Sequence, residues 1–237
     1  MPSTNYKPSV ACIFDVDGTI LDTESLYTEA INAVLKDYDL VMSNETKLKM
    51  MGRDTKSATE ILIKDTNLPL SVKEFNDKVD VIKVEIFKKA EIIEGADKLI
   101  RHLSKHNIPI SIATSSARRF FEIKKSNHQE LFSLFGDHVT CGDDPSILRL
   151  KPHPDIYLAA KEKLGIPHLK NSQYIVFEDA VSGVLSGVNA EMKVVWIPDE
   201  RFFNLSDIPE HGHGAYQILN SIKEFEPEKY GLPPFDS

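Results

Sequence analysis

The stretch Val10-Ala-Cys-Ile-Phe-Asp-Val-Asp-Gly-Thr19 decides the fold. An apolar run stops abruptly at Asp15, and Gly18 supplies a flexible turn directly afterwards. This pattern predicts a buried strand that ends in a polar loop. The same pattern recurs at residues 108–113 and 174–177, and two further strands are predicted at residues 138–141 and 193–197.

Helical patterns separate these strands. They cover residues 96–106 and 154–164, and Lys151-Pro-His-Pro154 forms a plausible entry to the second of them. Because strands that alternate with helices are typical of a parallel sheet, the sequence predicts an α/β fold.

Residues 24–90 have a different pattern, with apolar residues at helical spacing and no convincing buried strand. The spacing is carried by Leu26, Ala30, Ala33 and Val34, by Ala58, Ile61 and Leu62, and by Phe75, Val79 and Ile82. An all-helical insertion after the first strand is predicted, with hinges near residues 21–24 and 91–95 and the ability to act as a lid. The expected domains are a core of residues 1–22 and 92–237 and a cap of residues 23–91.

Composition excludes several function classes. With 28 Lys and Arg against 36 Asp and Glu, the net charge of −8 disfavours general nucleic-acid binding. The sequence contains neither a secretory signal pattern nor a run of 18 apolar residues, so we expect no membrane partner and a cytoplasmic protein. A monomer is also expected. Cys12 and Cys141 lack CxxC spacing and are expected to be buried, reduced thiols.

Polar clusters follow the predicted strands or begin a helix. They are Asp15-Val-Asp17-Gly18-Thr19, Thr114-Ser115-Ser116, Lys151 and Glu178-Asp179. Because ligands of open parallel sheets bind outside the carboxyl ends of the strands, we expect these clusters to converge in one pocket.

The acidic members of these clusters are suited to a hard cation. Asp15, Glu178 and Asp179 offer the carboxylate oxygens that Mg²⁺ prefers. A divalent cation and the ammonium of Lys151 would relieve the repulsion among the carboxylates and favour a dianionic phosphoryl group. The sequence therefore predicts a magnesium-dependent site for a small phosphorylated metabolite.

The remaining members fit phosphoryl transfer. Thr114, Ser115 and the backbone beside Gly18 are predicted to donate hydrogen bonds to the phosphoryl oxygens. Asp15 is the candidate nucleophile, since a carboxylate can attack phosphorus to give an aspartyl-phosphate. Asp17 is the candidate general acid and base, which would protonate the leaving alkoxide and then activate water.

Simpler interpretations exist for each motif alone. An Asp-x-Asp-Gly sequence is often a solvated turn, but an EF-hand calcium loop is excluded because Leu26 stands at position twelve, where a Glu is required. Lys151 alone could be a surface lysine, and Glu178-Asp179 could be acidic residues near a helix start. The joint occurrence of the motifs favours a catalytic site.

The sequence resembles the haloacid dehalogenase-like phosphatases. It carries their DxDGT signature as Asp15-Val-Asp17-Gly18-Thr19, followed in the expected order by Thr114, Lys151 and Glu178-Asp179. The resemblance covers essentially the whole chain. It implies a Rossmann-like core with a mobile helical cap, magnesium held by Asp15, the Asp17 carbonyl and Asp179, and Lys151 orienting the nucleophile and the phosphate.

Within the superfamily the sequence looks most like the pseudouridine-5'-phosphatase group. The matching segments are residues 14–27, Gly142-Asp-Asp-Pro145, Val176-Phe-Glu-Asp179 and Tyr230-Gly-Leu-Pro233. The resemblance implies a substrate contact by Arg53 of the cap. Leu150 and Glu191 depart from the group, since relatives commonly have glycine at both positions.

The predicted function is hydrolysis of a small phosphate monoester, either pseudouridine 5'-phosphate or a related nucleotide or sugar phosphate. A phosphosugar mutase is the main alternative, because an aspartyl-phosphate can return its phosphoryl group to a sugar. A non-catalytic binding protein is the other alternative. Dehalogenation is disfavoured, because it needs no acid at the position of Asp17.

Overall fold

The computed structural model describes residues 10–50, 55–201 and 208–236. Its strands, in chain order, are β1 (Ala11–Phe14), β2 (Leu21–Asp22), β3 (Glu91–Ile92), β4 (Ile110–Thr114), β5 (Val139–Cys141), β6 (Tyr174–Glu178), β7 (Lys193–Trp196) and β8 (Gln217–Ile218). Six of them form a sheet in the order β5-β4-β1-β6-β7-β8, and every neighbouring pair is parallel. The predicted α/β fold with a parallel sheet is confirmed.

The helices are α1 (Glu24–Lys36), α2 (Asn44–Met50), α3 (Thr55–Thr66), α4 (Val72–Ile86), α5 (Ala96–Lys105), α6 (Arg118–Lys124), α7 (Gln129–Ser133), α8 (Asp155–Leu164) and α9 (Val181–Asn189). Helices α1 to α4 all lie between β2 and β3, where an all-helical insertion is predicted. A single 3₁₀ turn at Phe87–Lys89 follows α4. Among the described residues, no helix is long and apolar enough to cross a membrane.

The alternation of side chains along β1 divides the core into two layers. Cys12 and Phe14 belong to one apolar cluster, which also contains Leu99 of α5. Ala11 and Ile13 belong to a second cluster with α8 and α9. Helices therefore cover both faces of the sheet, and this leaves the carboxyl ends of its central strands open for a site. Cys12 and Cys141 are buried free thiols, as predicted.

A two-stranded antiparallel ribbon of β2 and β3 joins the helical insertion to the sheet. Leu21 pairs with Ile92 and Asp22 with Glu91, within the predicted hinge segments. The two ends of the insertion therefore lie side by side, a few residues beyond Asp15. This connection holds the insertion over the carboxyl end of β1.

Candidate active site

The central strands bring three of the four polar clusters together. In the sheet register Phe14 lies between Ile112 and Phe177. The Asp15 amide donates to the Phe177 carbonyl at 3.0 Å, so the chain continues in sheet-like contact as it leaves β1. Asp15, Thr114 and Glu178 consequently lie side by side at the ends of three adjacent strands, as the sequence predicts.

Lys151 reaches this cluster from the loop that precedes α8. Its Nζ donates to Asp15 Oδ1 at 2.5 Å, to Glu178 Oε1 at 2.6 Å and to the Ala113 carbonyl at 3.2 Å. All three donors of the ammonium are therefore used, and only 6% of the side chain is exposed. The ammonium is therefore held in a fixed position against Asp15, directly after Leu150.

Glu178 acts as the anchor of Lys151. Besides the ammonium, its Oε1 accepts from the Tyr157 hydroxyl at 2.6 Å, and its Oε2 accepts from the amides of Asp179 and Ala180, both at 3.1 Å. These bonds occupy both carboxylate oxygens. The carboxylate also lies against α9 at Gly183, where an added Cβ would be 1.8 Å from Oε1. The predicted metal contact of Glu178 stays a prediction, and the contacts observed serve to hold Lys151.

Asp179 is packed tightly into the loop after β6. Its Oδ1 accepts from the Thr19 hydroxyl at 3.3 Å, and its carbonyl accepts from Trp196 Nε1 at 2.8 Å. Gly18 has a φ of +84°, and a Cβ at that position would lie 2.2 Å from Asp179 Oδ2. Glycine is therefore required beside this carboxylate, because both the backbone conformation and the close approach exclude a side chain.

The three carboxylates fit a divalent cation. One oxygen from each of Asp15, Glu178 and Asp179 lies within 4.8 Å of the others, and all three residues are buried. Within the described part of the chain, no donor bonds to Asp15 Oδ2 or Asp179 Oδ2, so both keep free lone pairs. Three carboxylates face one ammonium, and a hard cation with oxygen ligands would balance the excess negative charge.

The electrostatics of the cluster agree with that charge count. Burial raises the pKa of the Asp15 carboxyl, Lys151 opposes the rise, and the negative charges of Glu178 and Asp17 add to it. Burial and the charges of Glu178 and Asp15 likewise raise the pKa of Asp179. A bound cation would favour the ionised form of both groups.

Asp17 has a different environment from Asp15. Its Oδ1 accepts from the Thr23 hydroxyl at 2.7 Å and from Lys124 Nζ at 2.5 Å. Its Oδ2 accepts from the Ser116 hydroxyl at 2.8 Å and, more weakly, from Thr114 at 3.4 Å. Burial alone would raise the pKa of Asp17, but Lys124 and the hydroxyl donors lower it below its ordinary value.

Sequence reasoning missed Lys124, although the sequence contains a signal. Phe120 and Phe121 precede it by four and three residues, so all three share the buried face of α6. A lysine at an apolar position of a helix indicates a buried charge with a specific partner. Gly183 and Tyr157 were also missed, because nothing local in the sequence relates them to Glu178.

The predicted phosphate-binding residues have separate outcomes. Thr114 is fully buried at the end of β4 and accepts from the Ser116 amide at 3.1 Å. The side chain of Ser115 is exposed, and the neighbouring Ser116 is the residue that contacts Asp17. Contacts of Ser115 and Gly18 with a phosphoryl group stay predictions. Arg53 lies outside the described residues.

A cavity of about 690 Å³ lies between the helical insertion and the sheet. The insertion supplies a largely apolar wall with some polar groups, including Tyr27, Ile31, Met42, Phe75, Asn76, Val79 and Lys47. The sheet side supplies Asp179, Ala180 and Val181. Asp179, whose Oδ2 accepts no hydrogen bond from the described residues, therefore lines this cavity on the side opposite the insertion.

Comparison with known proteins places these features in a family. Residues 12–197 match the model described as haloacid dehalogenase-like hydrolase. The chain is 41% identical to (DL)-glycerol-3-phosphatase 2 of Arabidopsis thaliana, with 94% of this chain and 92% of that protein covered. It is 38% identical to the "Probable pseudouridine-5'-phosphatase" of Drosophila melanogaster, with 94% of each chain covered.

A solved structure shares the fold over nearly the full length. The HAD hydrolase, family IA, variant 3 of Entamoeba histolytica is 26% identical, has a TM-score of 0.76, and covers 93% of this chain and 97% of its own. The chain belongs to the haloacid dehalogenase-like hydrolase family. Its predicted family and its predicted enzyme class, a phosphoric monoester hydrolase, are both confirmed by these matches.

Proposed function

We propose that this protein hydrolyses a small phosphate monoester in two steps, through an aspartyl-phosphate on Asp15. The observation that carries the proposal is the fixed contact of Lys151 with Asp15 Oδ1 in a carboxylate cluster that includes Asp179, while no donor among the described residues bonds to Asp15 Oδ2. A buried carboxylate with one oxygen held by an ammonium and the other free is arranged to attack an electrophile.

In the first step, Asp15 Oδ2 forms a bond to phosphorus as the bond from phosphorus to the ester oxygen breaks. Lys151 stabilises the negative charge on the phosphoryl oxygens and keeps the nucleophile in place. Thr114, Ser115 and the backbone at Gly18 are proposed to donate to the same oxygens. The products of this step are the aspartyl-phosphate and an alcohol.

Asp17 moves the protons of both steps in this proposal. It donates a proton to the departing alkoxide, and it then removes a proton from the water that attacks the aspartyl-phosphate. Thr23 and Ser116 donate to its carboxylate and hold it close to the site. The second step releases inorganic phosphate and restores Asp15.

Mg²⁺ is the proposed cofactor, and Asp15, Asp179 and the Asp17 carbonyl are its proposed ligands, with Glu178 as a further candidate. The buried carboxylates and their free oxygens fit such an ion. When bound, the cation would supply positive charge that attracts the phosphate and stabilises the transition state. The chain's own residues perform the bond-making and proton-transfer steps.

The proposed substrate is pseudouridine 5'-phosphate or a related nucleotide or sugar phosphate. The cavity of about 690 Å³ supports a leaving group as large as a nucleoside, since pockets of this size enclose drug-sized ligands. The relatives are named for phosphatases of glycerol 3-phosphate and of pseudouridine 5'-phosphate. We infer that residues 23–91 form a cap that selects the leaving group, while residues 1–22 and 92–237 form the catalytic core.

The test is phosphate release from a panel of monoesters that includes pseudouridine 5'-phosphate, glycerol 3-phosphate and small sugar phosphates. The panel is run with Mg²⁺, with a chelator, and with the Asp15→Asn variant. We expect one class of ester to be preferred and its hydrolysis to need both Mg²⁺ and Asp15. The loss on replacing Asp15 should exceed about 10³-fold, as is usual when a nucleophile is removed.

Two results would contradict the proposal. If Asp15→Asn retained the activity of the unaltered protein, Asp15 would not be the nucleophile. If no ester released phosphate but a sugar monophosphate was isomerised in the presence of a sugar bisphosphate, the protein would be a mutase. Circular dichroism of the variant serves as the control for folding.

A further inference from the structure

Lys124 is a buried cation that the two-step mechanism above does not use. Its side chain is fully buried at the end of α6. The ammonium donates to Asp17 Oδ1 at 2.5 Å, to the Ser116 hydroxyl at 2.8 Å and to the Tyr27 hydroxyl at 3.1 Å. These contacts use all three donors, so the position of the charge is determined on three sides.

Aromatic rings enclose the ammonium further. Nζ lies 4.5 Å from the centre of the Phe87 ring and 5.0 Å from that of Tyr27. Both distances are within the range of a cation–π contact. Phe87 belongs to the turn that ends the insertion, and Tyr27 belongs to its first helix. The ammonium therefore lies where the two ends of the insertion meet the sheet.

The partner of Lys124 is the carboxylate that handles protons in the proposed reaction. Thr23 and Ser116 also donate to Asp17, but both are neutral. Among the residues that the structure describes, Lys124 is thus the charged side chain that donates to Asp17. General acid–base catalysis needs the carboxyl oxygen within hydrogen-bond reach of the reacting oxygen, so the residues that fix its orientation control the proton transfers.

A purely structural ion pair is the simpler explanation of Lys124. A buried ion pair is weak evidence for stability, because the cost of removing both charges from water can exceed their attraction. Replacing both members of a buried pair by apolar residues is often neutral or stabilising, so stability alone does not explain a lysine on a helix face shared with Phe120 and Phe121. All three N–H donors of the ammonium are used at or beside Asp17, and this favours a role for Lys124 in the catalytic site.

We propose that Lys124 is a positioning residue, whose ammonium holds the Asp17 carboxylate in the orientation from which it serves the leaving-group oxygen. This inference rests on the proposed role of Asp17. In this role Lys124 acts on the reaction through Asp17. Its loss should therefore reproduce the loss of Asp17 and leave steps that need no acid unaffected.

The test compares two leaving groups in Lys124→Met, which removes the ammonium and keeps an unbranched apolar side chain of similar size. For the best alkyl ester of the panel, kcat/KM should fall by about 10²-fold, within the usual contribution of general acid catalysis. For p-nitrophenyl phosphate, whose leaving group needs no proton, kcat/KM should stay within about threefold. Asp17→Asn should show the same selective loss, and the double variant should be no worse than Asp17→Asn alone.

Lys125→Met is the matched control. Lys125 follows Lys124 directly, lies 5.2 Å from the Phe121 ring and pairs with Glu122, away from Asp17. It should hydrolyse both esters as the unaltered protein does. An equal loss for both esters in Lys124→Met would make Lys124 structural and overturn the inference, and so would no loss for either.

Two further measurements cover other outcomes. If Lys124→Met does not fold, Lys124→Arg keeps the charge but replaces the compact ammonium with a planar group, and it should lose activity with the alkyl ester alone. Crystal structures of the unaltered protein and the folded variant should show the Asp17 carboxylate turned away from Thr23 in the variant. An unchanged carboxylate would overturn the inference. If Asp17→Asn shows no difference between the esters, the proposed role of Asp17 fails instead.

Discussion

Gly183 leaves room for the Glu178 carboxylate on the surface of α9. Because Glu178 holds the ammonium of Lys151, the position of Lys151 depends on this space. A Cβ at residue 183 would lie 1.8 Å from Glu178 Oε1, the oxygen that accepts from Lys151. We predict that Gly183→Ala lowers kcat/KM by on the order of 10²-fold, because a displacement of about 1 Å at a catalytic group has an effect of that size. Steady-state kinetics with the preferred ester measures it.

Gly165→Ala separates this effect from the general cost of replacing a glycine. Gly165 ends α8 with a φ of +64°, and no atom lies within 4 Å of an added Cβ. This control should lose about 1 kcal/mol of unfolding free energy, since an alanine in the left-handed region is strained. Its kcat/KM should not change. Equal kinetic losses in both variants would assign the effect to stability.

The distance between motifs along the chain limits what can be predicted of single residues. Asp15, Thr114, Lys151 and Glu178 each stand beside a strand end or a helix start, so the sheet topology alone predicts that they converge. Gly183 matters because of a contact between a helix and a side chain outside it, and no local pattern encodes that contact. Lys124 was predictable as a buried charge, but its partner was not.

At the scale of elements, the turn after α9 contains a residue in a strained backbone conformation, and a single substitution should remove that strain. Glu191 follows the helix with a φ of +59°, and the Met192 amide donates back to the Gly187 carbonyl at 3.0 Å. This closure is the one that glycine favours at a helix end. We predict that Glu191→Gly raises the unfolding free energy by about 1 kcal/mol, as measured by urea denaturation, with activity unchanged.

Glu191→Ala is the control for charge. Alanine also has a Cβ, so it keeps the backbone strain while it removes the carboxylate. It should give no gain in unfolding free energy. If alanine stabilised the protein as much as glycine, removal of an acidic side chain from a chain of net charge −8 would be the cause instead.

The elements that could be predicted are those with enough residues to show a period. The buried strands β1, β4 and β6 and the helices α5 and α8 have clear patterns, and the structure confirms them. Strands β2, β3 and β8 have two residues each, which is too short for an alternation to appear. Their pairing depends on neighbours distant in the chain, so it follows from the tertiary structure.

At the scale of the whole molecule, the apolar lining of the cavity comes largely from the insertion, and the carboxylate cluster lies at the carboxyl ends of the sheet strands. Asp15 and Asp179 directly follow strands β1 and β6, and the ammonium of Lys151 contacts Asp15 there. Phe75 and Val79 line the cavity from α4. A phosphoryl group is thus expected on the sheet side, and the organic part of the substrate against the insertion. Substitutions on the sheet side should therefore affect the hydrolysis of every ester, whereas substitutions on the insertion side should affect the choice among esters.

Val79→Phe tests this division by narrowing the cavity from the side of the insertion. Val79 is buried and lines the cavity, whereas Val81 on the same helix is 73% exposed. We predict that kcat/KM falls at least about tenfold for a nucleoside 5'-monophosphate and stays within about threefold for glycerol 3-phosphate, since steric exclusion acts on the larger leaving group alone. Val81→Phe adds the same ring outside the cavity and should change neither value. A parallel loss for both esters in Val79→Phe, at an unchanged melting temperature, would mean that the insertion does not select the leaving group.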